Sequence, residues 1–327
     1  MRNVQGICIV KKILLYYTEQ LYSRVIRRYI MKYIGEAKYY DDDRIIYRHN
    51  LVAYQQINSF IYNKVMVGEP FMVSRFGSTE LYTIGTHETG FRKKIRVADK
   101  MLCKYSGFFS SSDLEEQCDK FYRLMLSIIP EIDVLGIWMM PFEHYFSNTY
   151  LKKGAILSGI RALEPWNVSK PWTAALKGKK VLVIHPFSQT IKRQFEKRDL
   201  LFPDTNILPE FTLYTLKAIQ TIADEVDTNY ETWFDALEYM YNEAMKITFD
   251  IAIIGCGAYG MPLAAKIKRA GRQAIHMGGV TQILFGIKGK RWDDDPVVSK
   301  LYNEYWARPK ADECPKGANA VEGGCYW

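Results

Sequence analysis

The sequence predicts an α/β fold: a Rossmann-like, mostly parallel sheet flanked by helices, with an N-terminal helical extension. Three stretches predict it. Residues 250–279 open with an apolar, β-branched run of strand length, pass through Gly255, Gly257 and Gly260, and then take helical spacing from 261 to 269. Leu263, Ala264 and Ile267 share one face of that helix, and Lys266, Lys268 and Arg269 fall mostly on the other. Ala270-Gly271 closes the helix and residues 273–277 read as a second strand, so the stretch is one half of a doubly wound sheet. Residues 70–75 form another strand, which runs straight into Gly77-Ser78-Thr79-Glu80-Leu81, a turn with Ser78 as N-cap candidate. Residues 180–184 are a third, buried strand, followed by His185-Pro186-Phe187-Ser188 and a helix at 189–198.

The remaining elements follow in order. Residues 1–10 lack the apolar core and cleavage site of a signal peptide, and no stretch reaches the roughly 18 apolar residues of a membrane span. Residues 11–34 read as a helix with an apolar stripe, Leu14, Tyr17, Leu21 and Val25, and a basic row, Arg24, Arg28 and Lys32. Such a helix fits either an anionic membrane surface or a packed position on its own domain. Asp41-Asp42-Asp43 is a charged loop, since three consecutive side chains do not converge on one ion, and 51–66 is an amphipathic helix ended near Gly68. Residues 113–127 are a helix, 132–138 a strand, Pro141-Phe142-Glu143-His144 a loop able to enter a cleft, and 151–178 a mixture of short elements. Residues 211–217 are one more strand, 231–246 a helix leading into the glycine turn, and 280–287 another helix. The aromatic tail from about 305 is too apolar for a solvated linker and is expected to pack back. The resulting division is an N-terminal helical extension, 1–66, and an α/β domain with its tail, 67–327.

Charge and cysteine placement exclude several classes. The net charge is +8, but residues 1–34 hold seven Lys/Arg against one acid, Glu19, which leaves only +2 for the rest. A broad basic face for nucleic acid is therefore not expected. Cys8, Cys103, Cys118, Cys256, Cys314 and Cys325 contain no C-x-x-C pair, which argues against a zinc ribbon or thioredoxin-type site. Scattered thiols suit a reducing, cytoplasmic compartment. Five histidines are too few for a histidine-rich metal site.

Three strand ends carry the candidate chemistry, because ligands of α/β sheets sit beyond the carboxyl ends of the strands. Gly255-x-Gly257-x-x-Gly260 either presents backbone N–H groups and a helix N-terminus to a phosphate or makes a tight turn for close packing. NAD is not expected, because the second strand ends in His276-Met277-Gly278-Gly279 with no carboxylate for a ribose. Arg75 is placed to clamp a phosphate and Glu80 to ligate a cation or act as a base; the alternative is an Arg–Glu ion pair with a helix cap. His185 stands at a third strand end, as either a site residue or a hydrogen-bonded structural histidine.

Ser74-Arg75-Phe76-Gly77-Ser78-Thr79-Glu80 resembles the S-R-[FY]-G-x-x-E segment of bacterial GT-D-type glycosyltransferases and their GT-D-like relatives in polysaccharide gene clusters. Residues 253–260, 276–289 and 321–327 are similar to late segments of the polysaccharide-cluster relatives, so the resemblance spans roughly 68–327. It implies a cytoplasmic glycosyltransferase of surface polysaccharide synthesis, with a nucleotide-sugar donor and a glycan or lipid-linked glycan acceptor. Arg75, Gly77, Ser78, Gly255, Gly257 and Gly260 would then hold the donor. The family's Asp-x-Glu motif implies Mn²⁺ or Mg²⁺, here on Glu80, but Ser78 stands where the motif begins with Asp, which weakens the metal site. If the reaction inverts, the base would be Glu143 or His185. The alternatives are a non-catalytic nucleotide- or glycan-binding protein and, on the glycine turn, a methyl- or hydride-transfer enzyme.

Overall fold

The structure is a computed structural model that describes residues 2–203, 205–223, 225 and 227–327, with only the backbone for 2–9, 36 and 37. The expectations for residues 1–9, Cys8 among them, therefore lie outside the described side chains. Nine strands form one sheet: β1 (Arg44–Ile46), β2 (His49–Leu51), β3 (Phe71–Arg75), β4 (Val134–Ile137), β5 (Ile156–Gly159), β6 (Lys180–His185), β7 (Thr212–Lys217), β8 (Ile251–Ile254) and β9 (Gln273–His276). Their order is β1-β2-β5-β4-β3-β9-β8-β6-β7, and only the β1–β2 pair is antiparallel. Parallel strands need crossovers that cover both faces, which is why the central strands are continuous apolar runs without alternation. β4 and β8 are buried at every position, whereas edge strand β7 is half-exposed along most of its length.

Local chemistry sets the helix ends. Gly68 ends the helix Tyr54–Val67 in a left-handed conformation at φ 83°, a geometry glycine adopts without a Cβ clash. Asp113 caps the helix Leu114–Ile128 by accepting from the N–H groups of Glu115 and Glu116. Thr232 and Asp235 form a reciprocal capping box on the helix Trp233–Met245. The helix Gly260–Arg269 packs on β3, β8 and β9 with Leu263, Ala264 and Ile267 fully buried, the face expected from the sequence.

Three features depart from the sequence reading. The N-terminal extension does not end at residue 66 as a separate unit: β1 and β2 join the sheet through the parallel β2–β5 pair, and the helix Tyr54–Val67 packs on it. The helix Arg92–Ser106 and strand β5 were not marked by the sequence. Ser78 is the first helical residue and not the cap; Gly77 holds the cap position, without a side-chain hydrogen bond. The helix Arg2–Tyr33 docks on the domain through buried Tyr16, Glu19, Ser23 and Ile30.

Candidate functional site

A cavity of about 480 Å³ lies beyond the carboxyl ends of the parallel strands. Arg75, Gly77, Ser78, Thr79 and Glu80 follow β3 into its wall, Trp138 and Met140 follow β4, and His185, Pro186 and Phe187 follow β6. Gly255, Cys256 and Gly257 enter from β8, and Gly279 and Gln282 from beyond β9. Strand order explains the position. The chain leaves β6 outward to β7, while β8 lies on the other side of β6; it leaves β3 toward β4, while β9 lies on the other side of β3. Connections that diverge in this way open a crevice at the strand ends.

The Arg75 side chain lies over Gly278, where any Cβ would meet its guanidinium. Gly278 has φ +69°, so glycine there satisfies both the backbone and the space. Nη1 of Arg75 donates to the Phe76 carbonyl at 3.1 Å, whereas its Nε is buried and makes no hydrogen bond. The buried Nε is out of reach of the cavity, but Arg75 lines it, and the Nη donors beyond the Phe76 bond are left for an anion.

Glu80 does not pair with Arg75. Its carboxylate folds back over Gly77, where a Cβ would meet both of its oxygens. Of the two carboxylates in the cavity wall, Glu322 is ion-paired with Arg291 and Glu80 has no ion pair among the described residues. No three His, Cys, Asp or Glu side chains cluster as a cation site among the described residues. With Ser78 beside it, Glu80 alone does not amount to a donor set for a protein-held Mn²⁺ or Mg²⁺.

The glycine turn is built for close packing at all three positions. A Cβ on Gly260 would meet the His276 ring, one on Gly255 would meet the Gly278 carbonyl and Thr281, and one on Gly257 would meet the Ser106 carbonyl at 2.8 Å. Gly255 and Gly257 also line the cavity; Gly260 does not, so its role is to admit His276 against the helix start. His276 is in turn 3.0 Å through Nδ1 from the Ser74 hydroxyl.

His185 is buried, and its Nδ1 accepts the Phe187 N–H at 3.0 Å. The neutral ring then carries its proton on Nε2 and has no free lone pair. This corrects the expectation of a general base: toward the cavity His185 can donate a hydrogen bond but not take a proton. Burial lowers its pKa to about 3, and burial with the nearby Arg75 charge holds His276 well below the ordinary value. Both rings stay neutral in the fold, while in the unfolded chain they protonate below about 6.5. The unfolded state thus gains protons that the native state refuses, and stability is fully present above pH 6.5 and lost as pH falls below it. Each histidine contributes about 1.4 kcal/mol per pH unit in that window. Between pH 6.5 and 5 the unfolding free energy of His185→Asn is expected to fall less steeply than that of the wild type, by about 1.4 kcal/mol per pH unit; an unchanged slope in the variant would show that His185 is not the titrating group.

Glu143 is fully buried and absent from the cavity wall, which corrects the second expectation of a base. Its carboxylate accepts the N–H groups of Trp138 and Met139, the latter at 2.8 Å. These bonds hold a loop in which Met139 and Phe142 have φ of 56° and 71°, an unfavourable conformation for bulky residues. The loop does reach the cavity, but through Trp138 and Met140.

Several lining residues went unmarked in the sequence. Arg27 comes from the N-terminal helix, 3.7 Å through Nη1 from the Met140 sulfur. Arg291 lies 4.7 Å above the Tyr326 ring and donates to its hydroxyl at 3.2 Å. The tail is tied down by the Gln282 amide to the Tyr326 carbonyl and by the Arg291 N–H to the Cys325 carbonyl, which brings Val321, Glu322, Tyr326 and Trp327 to the wall. The only available sequence signal was the apolar, aromatic character of the tail. The N-terminus of the helix Ser188–Phe195 is not open to a ligand, because Glu313 from the tail accepts from Gln189 N at 2.7 Å and from Thr190.

No family model matches the chain, and no curated protein matches it. Among solved structures, a chain titled as the selenomethionine-substituted structure of domain of unknown function 1792 is similar at 14% identity. The match covers 79% of this chain and 90% of that one, with a TM-score of 0.36, a likeness too distant to decide ligand or activity.

Proposed function

We propose that the cavity binds a nucleotide-activated sugar and that the protein is a glycosyltransferase acting on a glycan or lipid-linked glycan. The observation that carries this reading is the gathering of Arg27, Arg75 and Arg291, with the N-terminus of the helix Ser78–Thr89, around one strand-end cavity walled by Tyr105, Trp138 and Tyr326. Fixed guanidinium groups and helix N–H groups suit a diphosphate, and flat aromatic faces suit a base or sugar. The resemblance of residues 74–80 to the GT-D segment points the same way.

In this proposal the donor diphosphate lies against Arg75, clear of the Glu80 carboxylate that covers Gly77. As the glycosidic bond breaks, negative charge grows on the leaving diphosphate, and cations already in place favour that transition state without reorganising. His185 adds a neutral N–H donor. Glu80, the carboxylate without an ion pair, receives the proton of an acceptor hydroxyl.

A thermal-shift screen of nucleotide sugars, with and without Mn²⁺, tests the binding. A donor at about 100 times its dissociation constant should stabilise the protein by about 2.7 kcal/mol. No shift with any nucleotide or nucleotide sugar would reject the reading. Donor turnover tests the chemistry: Glu80→Gln is expected to lower it about 10²–10⁴-fold while donor binding persists. Ser78→Asp is expected to increase the response to Mn²⁺ by supplying a second carboxylate. Unchanged turnover of Glu80→Gln at low and high Mn²⁺ would leave Glu80 as a helix-end residue.

A second reading is a non-catalytic nucleotide- or glycan-binding protein. It is favoured by Ser78 at the position of the family's carboxylate and by the missing lone pair on His185. Binding without turnover, in the wild type and in Ser78→Asp, would select it.

A further inference from the structure

The helix Arg2–Tyr33 packs a mixed face on the domain and leaves an apolar face exposed among the described residues. Tyr16, Glu19, Ser23 and Ile30 are buried against the domain; the Tyr16 and Tyr82 hydroxyls lie 3.0 Å apart, and Ser23 donates to the Met139 carbonyl at 2.8 Å. At 3.6 residues per turn, Val10, Leu14, Tyr17, Leu21 and Val25 lie on the opposite side. All five are exposed, Leu14 by 64% and Leu21 by 63%, and they form a continuous stripe over four turns of helix.

The charges around the stripe are of one sign. Lys11 and Arg24 flank it, and Arg28 and Lys32 continue its line toward the C-terminal end, all of them exposed. Glu19, the single acid among residues 1–34, points the other way and lies 3.3 Å from His144. No helix among the described residues is long and apolar enough to cross a membrane.

We propose that this outer face lies on an anionic lipid surface and holds the protein at the membrane. Apolar side chains enter the interface while lysine and arginine reach the headgroups, as in interfacial helices. A second copy of the helix fits less well. A heptad continued from Val10, Leu14, Tyr17 and Leu21 arrives at Arg24 and Arg28, which would set like charges at a self-pairing seam. The same helix delivers Arg27 to the cavity wall, so the anchor keeps the cavity within about one helix diameter, roughly 10 Å, of the bilayer. That position suits an acceptor carried on a lipid, but the anchor does not depend on the glycosyltransferase reading.

Co-sedimentation of the full-length chain with vesicles tests the proposal without cutting a helix that the core needs. The vesicles are phosphatidylcholine alone, or with about one-third phosphatidylglycerol. Binding is expected only to the anionic vesicles and to fall with salt. Leu14→Ser/Leu21→Ser/Val25→Ser changes only exposed positions and is expected to lose at least about tenfold in binding. Arg24→Gln/Arg28→Gln/Lys32→Gln is expected to lose about a hundredfold on anionic vesicles. Circular dichroism of both variants confirms that the fold is kept. No binding to anionic vesicles, equal binding of the stripe variant, or a lipid-free dimer abolished by the stripe variant would each overturn the proposal.

Discussion

Arg75→Gln is expected to weaken nucleotide-sugar binding at least about a hundredfold, the largest single loss at the cavity. Arg75 lines the cavity with Nη donors left over beyond its bond to the Phe76 carbonyl, and a charge-assisted bond to phosphate contributes about 1.5–3 kcal/mol. Two such bonds exceed the roughly 2.7 kcal/mol that a hundredfold change represents. Arg75→Lys keeps the charge without the planar fork and should recover only part of the loss. Arg75 also fills the space over Gly278, so the unliganded melting temperature of each variant must be measured beside its affinity. Donor affinity unchanged in Arg75→Gln, with the fold intact, would place the diphosphate elsewhere in the cavity.

Glu143→Ala is expected to cost about 2–4 kcal/mol of stability, although the residue touches no ligand. It removes the acceptor of two backbone N–H groups, and each unsatisfied buried donor costs about 1–3 kcal/mol. It also releases a loop with two bulky residues at positive φ. Trp138 and Met140 would lose their fixed position in the cavity wall, so donor affinity should fall as well. Its pH dependence separates this role from catalysis. Burial pushes the carboxyl up to about 8, against the opposing effect of the N–H donors. Between its ordinary value of 4.5 and about 8 the native state holds a proton that the unfolded chain has released. Stability from this group therefore falls as pH rises through that window, by about 1.4 kcal/mol per unit. Glu143→Gln cannot ionise and should flatten this alkaline loss. A variant with the wild-type profile would assign the loss to another group.

The histidine and Glu143 effects act in opposite directions between pH 4.5 and 6.5, so only single variants resolve them. A variant at His185 acts on the acid limb, and one at Glu143 acts on the limb toward pH 8.

What the sequence determined by itself was the set of strand ends. Ile251–Ile254 and the 181–184 stretch of Lys180–His185 are apolar runs followed by turn residues, so their burial and direction are written locally. Arg75, Gly77, Ser78, Glu80, His185, Gly255 and Gly257 were legible as neighbours for the same reason: a parallel sheet brings all its carboxyl ends to one edge. β1 and β2 were not legible, because three-residue strands containing Arg44, His49 and Asn50 have no apolar period, and the hairpin they form joins the sheet only through β2 on β5, more than a hundred residues away. The helix Arg92–Ser106 escaped because it is rich in charge and buries only Ala98, Asp99, Leu102 and Ser106. Tertiary structure alone decided the rest of the cavity. Arg27 and Arg291 lie 264 positions apart in the sequence and share a wall only because the N-terminal helix and the tail fold back over the same sheet edge. It also decided which polar groups are free to act. Glu143 and His185 have the side chains of a base, but hydrogen bonds from Trp138, Met139 and Phe187 occupy their acceptor atoms, and a residue's own letter does not record who its hydrogen-bond partner will be.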